Sequence, residues 1–82
     1  MSKEITLKYP IKTGAGATVE KLTVSRLKRA DLKAAARYSK EDDEQEDFLM
    51  SRMTGLQIED LDQLDIADSK VLADTFREMV GG

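Results

Sequence analysis

Apolar and polar positions alternate at the start of the chain, and the period then changes. Ile5, Leu7, Tyr9 and Ile11 alternate with Glu4, Thr6, Lys8 and Lys12, the period of two expected of a half-buried strand. Residues 19–26 read as a second strand, with Leu22 and Val24 on one face. Gly14-Ala15-Gly16 lies between them and gives the backbone freedom to reverse, so the two strands form a β-hairpin. The loop at 13–17 is not a phosphate cradle. It lacks the Gly-Lys-Ser/Thr ending and leads into a strand rather than a helix.

Near Asp31 the period lengthens. Leu32, Ala35 and Ala36 share a narrow face of a short helix over residues 31–38, with Asp31 as its N-cap. The alanines at 34–36 favour helix and let a neighbour approach closely. Ser39 followed by Asp42 resembles a capping box with Asp in place of Glu, which starts a second helix. Its stripe is Phe48, Leu49, Arg52, Met53 and Leu56, where the stem of Arg52 can still cover apolar surface, and Gly55 is its stop. Ile58, Leu61 and Leu64 recur at threes and suit a short helix or a single turn. Asp65 then caps a last helix whose core face is Val71, Leu72, Phe76 and Met79, with Thr75 between.

A two-stranded ribbon is marginal alone, so its apolar face must rest on helices or its edge must pair with another chain. The expected fold is α+β: an N-terminal β-hairpin (about 3–26) followed by three or four short helices (about 31–80). Residues 1–82 are expected to make one small domain, with no repeat and no linker to divide them.

Composition adds a constraint on stability. Of 33 hydrophobic residues eight are Ala, leaving 25 side chains large enough to build a core. One core in so small a domain supplies about 3–5 kcal/mol, and there is no cysteine and no histidine for a disulfide or zinc staple. Self-association or partner binding is the natural remedy. The same absences remove Ser-His-Asp triads, Cys nucleophiles, zinc hydrolases and haem ligation. Ser25, Ser39, Ser51 and Ser69 remain, but no spacing sets a base beside a nucleophile. Neither an enzyme nor a cofactor is expected. No apolar run exceeds three residues, so no membrane span or signal peptide is read, and a cytoplasmic location is expected.

The net charge of −3 hides a division. Residues 1–40 carry ten Lys/Arg against three acids, or +7, while residues 41–82 carry three against thirteen, or −10. The halves can attract each other within one fold, or guide copies into register. Arg26, Lys28, Arg29, Lys33 and Arg37 form a basic run, but only Tyr38 adjoins it and the acidic half repels phosphate. No nucleic acid is expected. The acids from Glu41 to Asp47 suit the first turns of a helix, where they meet its dipole favourably. Asp60, Asp62 and Asp65 fail the calcium-loop pattern, so no metal is expected.

The order of these pieces is familiar. Thr6-Leu7-Lys8-Tyr9-Pro10-Ile11, Val19-Glu20-Lys21-Leu22-Thr23-Val24 and Leu27-Lys28-Arg29-Ala30-Asp31-Leu32 resemble the tail assembly chaperones of Mu-like and P2-like bacteriophages. So does the run from Met53-Thr54-Gly55-Leu56 through Ile58-Glu59-Asp60-Leu61-Asp62-Gln63-Leu64-Asp65 to Asp68. The likeness runs from about Thr6 to Met79. This chain has Ala30 where the family often has proline, and its acidic stretch after Ser39 is outside the pattern.

The resemblance implies a non-enzymatic chaperone that binds the long helical tape measure protein, keeps it soluble and helps recruit tail tube subunits. It implies work in the cytoplasm of the infected host and absence from the mature virion. Relatives are often made in short and frameshift-extended forms. A helical client presents apolar stripes, and the candidate contacts for them are Met50, which falls off the second helix's stripe, and the hairpin edge at Tyr9 and Ile11. Two other readings compete. The terminal Gly81-Gly82 would suit a ubiquitin-like carrier, although the residues before it follow a helical period. The basic run would suit a small nucleic-acid-binding regulator.

Overall fold

A computed structural model describes residues 3–81. Strands β1 (Lys3–Lys12) and β2 (Thr18–Val24) come first, followed by helices α1 (Arg29–Tyr38), α2 (Asp42–Thr54), α3 (Ile58–Leu61) and α4 (Ile66–Gly81). The expected α+β hairpin-then-helices order is what the chain adopts. The strands pair antiparallel as a two-stranded sheet. At the turn Gly16 takes φ 88°, and its N–H donates to the carbonyl of Thr13 at 2.9 Å. Only glycine occupies that region without steric cost.

One face of the hairpin supplies Ile5, Leu7, Ile11, Leu22 and Val24 to the core, which Met50 and Met53 of α2, Leu61 of α3 and Leu72 of α4 complete. Val24, Met53 and Leu72 are its most enclosed side chains. β2 ends at Val24, two residues earlier than the sequence pattern predicts. The N–H of Ser25 leaves the ladder and donates to the carbonyl of Met53 at 2.9 Å. That carbonyl lies in the last turn of α2, where no intrahelical donor is available, so one bond both ends the strand and caps the helix.

Gly55 stops α2 as expected, at φ 80° with its N–H on the carbonyl of Ser51 at 2.8 Å. Asp65 caps α4, accepting the Ala67 N–H at 2.9 Å. The other two caps differ from expectation. α1 begins at Arg29 with Lys28 as N-cap, and Asp31 sits in the first turn, where its carboxylate accepts the Lys28 N–H at 2.8 Å. An acid three residues inside a helix reaches back to the cap in this way. α2 has Glu41 as N-cap, and Ser39 stands two residues ahead of it, accepting the Glu41 N–H at 3.0 Å.

Two apolar faces also differ. Leu32 and Val71 were expected to face inward, and both are about half exposed. The buried residue of α1 is Ala35, and α1 packs chiefly on α2. In α4 the buried row is Asp68, Leu72 and Thr75, at spacings of four and three. Among the described residues strands occur only in β1 and β2, and the approach to Gly81 is helical. A ubiquitin-like carrier needs strands there. Gly82, the second half of the diglycine, lies outside the described residues.

Candidate partner-binding surface

Tyr9 owes its position to a break in the hairpin. Thr6 pairs with Lys21 and Ile11 with Val19, so residues 7–10 of β1 face Glu20 alone on β2. Such a bulge leaves β1 with unpaired N–H groups. Pro10 has none to satisfy, and the N–H groups of Lys8 and Tyr9 donate to Oδ1 and Oδ2 of Asp68, each at 2.9 Å. A second carboxylate acts likewise at the turn, where Asp60 Oδ1 accepts the Gly14 N–H at 2.9 Å. Asp60 and Asp68 are both buried. They fasten α3 and α4 to the hairpin and leave the Tyr9 side chain 53% exposed.

The other two candidate contacts lie elsewhere. Ile11 resumes the inward alternation after the bulge and is only 6% exposed. Met50 was expected outside the stripe and accessible, but it is 8% exposed and belongs to the core. The physical reason is that α2 is packed on two sides, against α1 and against α3 and β2. A helix so placed needs two apolar faces. Leu49 is buried outside the main core, while Met50 and Met53 enter it. Tyr9 is therefore the one of the three that a partner reaches without the fold opening.

The contact of α1 with α2 is mixed in character. Arg52 Nη2 approaches Asp31 Oδ1 at 3.0 Å, and its guanidinium lies 5.6 Å from the centre of the Phe48 ring. Tyr38 packs on the same ring, centroids 5.0 Å apart and planes tilted by 34°. The Lys28 N–H, opposed by partial burial and helped by Arg52, holds the Asp31 carboxyl below its ordinary range.

Exposed apolar groups also adjoin surface charge at two places. Leu27, Leu32, Met79 and Val80 line a groove between the start of α1 and the end of α4, edged by Lys28 and Arg29. Lys33 continues that basic edge beside Leu32. Elsewhere, burial pushes the Asp47 carboxyl up, with Asp62, Asp43, Glu46 and Glu44 adding like-charge repulsion. Asp62 precedes α4 by a turn, and Ile66, the first residue of α4, is 86% exposed.

Sequence reasoning missed Asp60 and Asp68 as structural residues. The signal was present: Asp68 occupies a position four residues before Leu72 on the inward row of α4, where an acid needs donors. Among the described residues no group of three or more acidic, His or Cys side chains is placed to hold a metal ion, and no helix is long and apolar enough to cross a membrane.

No curated protein and no solved structure matches the chain. A family model described as "Phage tail assembly chaperone proteins, E, or 41 or 14" matches residues 4–81, which takes in the hairpin, all four helices and both buried aspartates. The chain belongs to the phage tail assembly chaperone family.

Proposed function

We propose that this chain binds the tape measure protein of its phage, keeps it soluble in the cytoplasm of the infected bacterium, and helps recruit tail tube subunits around it. The family match over residues 4–81 carries this reading, because a tail assembly chaperone acts on tail proteins and its role is non-enzymatic. A tape measure protein is long and helical, and its apolar stripes need cover until the tube encloses them. The chain acts as one small domain over residues 1–82, self-associates, and leaves before the virion matures.

Tyr9 is the client contact in this proposal. It is a large aromatic, half exposed and held outward by a bulge whose backbone is bonded to Asp68. Aromatic rings of this kind contribute apolar area with few torsions to freeze. Ile11 and Met50 lie in the core and meet a client only if the fold loosens.

Co-expression tests the proposal. The soluble yield of the tape measure protein should rise severalfold with this chain, and Tyr9→Asp should remove most of the gain with an unchanged circular dichroism spectrum. An unchanged yield with the wild-type chain would contradict the function. A full gain with Tyr9→Asp would contradict the surface alone.

A further inference from the structure

We propose that the acidic end of one copy, with Ile66 at its centre, seats in the basic-edged groove of a second copy, so that chains join head to tail. This goes beyond the client-binding reading and does not rest on it. The groove has an apolar lining of Leu27, Leu32, Met79 and Val80, of which Leu32 and Val80 are more than half exposed. It is an open groove of about 270 Å³, with room for a branched aliphatic side chain. Its edge carries Lys28, Arg29 and Lys33. Glu78, next to Met79, is held by Lys3 at 3.9 Å, and Asp31 by Arg52 at 3.0 Å, so the nearby acids have partners.

The complementary surface is on the same chain. Ile66 projects from the start of α4 at 86% exposure, the most exposed of the large hydrophobic residues described. Asp62 and Asp65 precede it within a turn, and the charge of Asp62 is felt at Asp47 of α2. Arg52, the only base from 41 to 66, is turned toward Asp31. Lys70, one turn along α4, is the nearest base in sequence.

Ile66 and Val80 are fourteen residues apart on one straight element, or about 21 Å at 1.5 Å per residue. A chain cannot fill its own groove with its own Ile66. An occupant comes from another molecule, and a second copy brings both the apolar knob and the opposite charge. Two different patches meet in such a contact, so it repeats into a ring or a filament instead of closing as a two-fold dimer.

Two substitutions separate the halves of the contact. Ile66→Arg sets a positive charge against the basic edge, and Leu32→Glu sets a negative charge in the groove. Both positions are exposed, and circular dichroism verifies the fold. Sedimentation velocity should show wild-type chains in species larger than dimers, each variant alone as a monomer, and an equimolar mixture associating again through a one-to-one dimer in which the intact Ile66 of the Leu32→Glu chain fills the intact groove of the Ile66→Arg chain. Raising the salt concentration should dissociate that dimer. Monomeric wild type at high micromolar concentration would overturn the proposal. So would variants that assemble alone as the wild type does, or a mixture that stays monomeric. If Ile66→Arg alters the spectrum, Ile66→Ser replaces it, with the same outcomes.

Discussion

Removing the Asp68 carboxylate should destabilise the fold more than any other single change to a charged residue. In Asp68→Ala the N–H groups of Lys8 and Tyr9 lose their acceptors, which lie at 2.9 Å each. A hydrogen bond to a charged group contributes about 1.5–3 kcal/mol net, so two would give roughly 3–6 kcal/mol. Lys8 and Tyr9 are themselves exposed, and water reaching the opened site recovers part of the loss. The expected cost is about 2–4 kcal/mol. An 82-residue domain at 0.05–0.15 kcal/mol per residue has roughly 4–12 kcal/mol in hand, so the variant folds but loses a large share of its margin. Asp68→Asn keeps one acceptor and turns an amide N–H₂ toward the other donor, so it should recover no more than about half. Urea unfolding followed by far-ultraviolet circular dichroism measures these differences, and hydrogen exchange at the amides of Lys8 and Tyr9 should quicken in both variants. Asp74→Ala, an exposed aspartate on the same helix whose ion pair with Arg77 lies on the surface, is the control and should cost less than about 0.5 kcal/mol. A cost below about 0.5 kcal/mol for Asp68→Ala, with those amides still protected, would refute the reasoning.

Gly55→Ala should cost about 1 kcal/mol in the same urea experiment, since φ 80° is a left-handed conformation that alanine adopts only with strain. Arg52→Ala should cost about 0.5–1.5 kcal/mol through lost packing on Phe48 and the lost Asp31 pair, and Arg52→Lys should restore only part of it because the stacked plane is gone. Asp47→Asn should raise the free energy of unfolding at neutral pH by up to about 1 kcal/mol, a surface-scale effect because the group is only partly buried. The folded chain holds the Asp47 proton more tightly than the unfolded chain does. Its penalty therefore shrinks as pH falls through the raised folded pKa and is gone below the ordinary value of 3.8. The gain from Asn should vanish over that window. Asp31 acts in the opposite sense: its contribution is complete above the ordinary carboxylate range and is lost as pH falls through its lowered pKa.

Much of the architecture was legible because it rests on local pattern. The period of two from Ile5 to Ile11, the glycines at the turn, Gly55 at a helix end and Asp65 at a helix start each state a backbone preference within a few residues. What was not legible depends on partners distant in sequence. The bulge at 7–10 leaves no mark in the alternation, since Leu7 and Ile11 keep the same parity and only Tyr9 departs from it. Asp68 looks like an ordinary helical aspartate until strand β1, sixty residues away, presents two donors to it. Met50 fell outside a single stripe because α2 has neighbours on two sides, which one helix's periodicity does not record. Tyr9 alone, among the three candidate contacts, combines a pattern readable in the sequence with an exposed place in the fold.

The central claim is that the chain protects an aggregation-prone helical client. Its most direct test is to dilute the phage's purified tape measure protein from denaturant and follow light scattering with increasing amounts of this chain. The account predicts that scattering falls in proportion to added chain until the client is saturated, and that Tyr9→Asp shifts this saturation to much higher concentration. Scattering that is the same with and without the folded wild-type chain would contradict it.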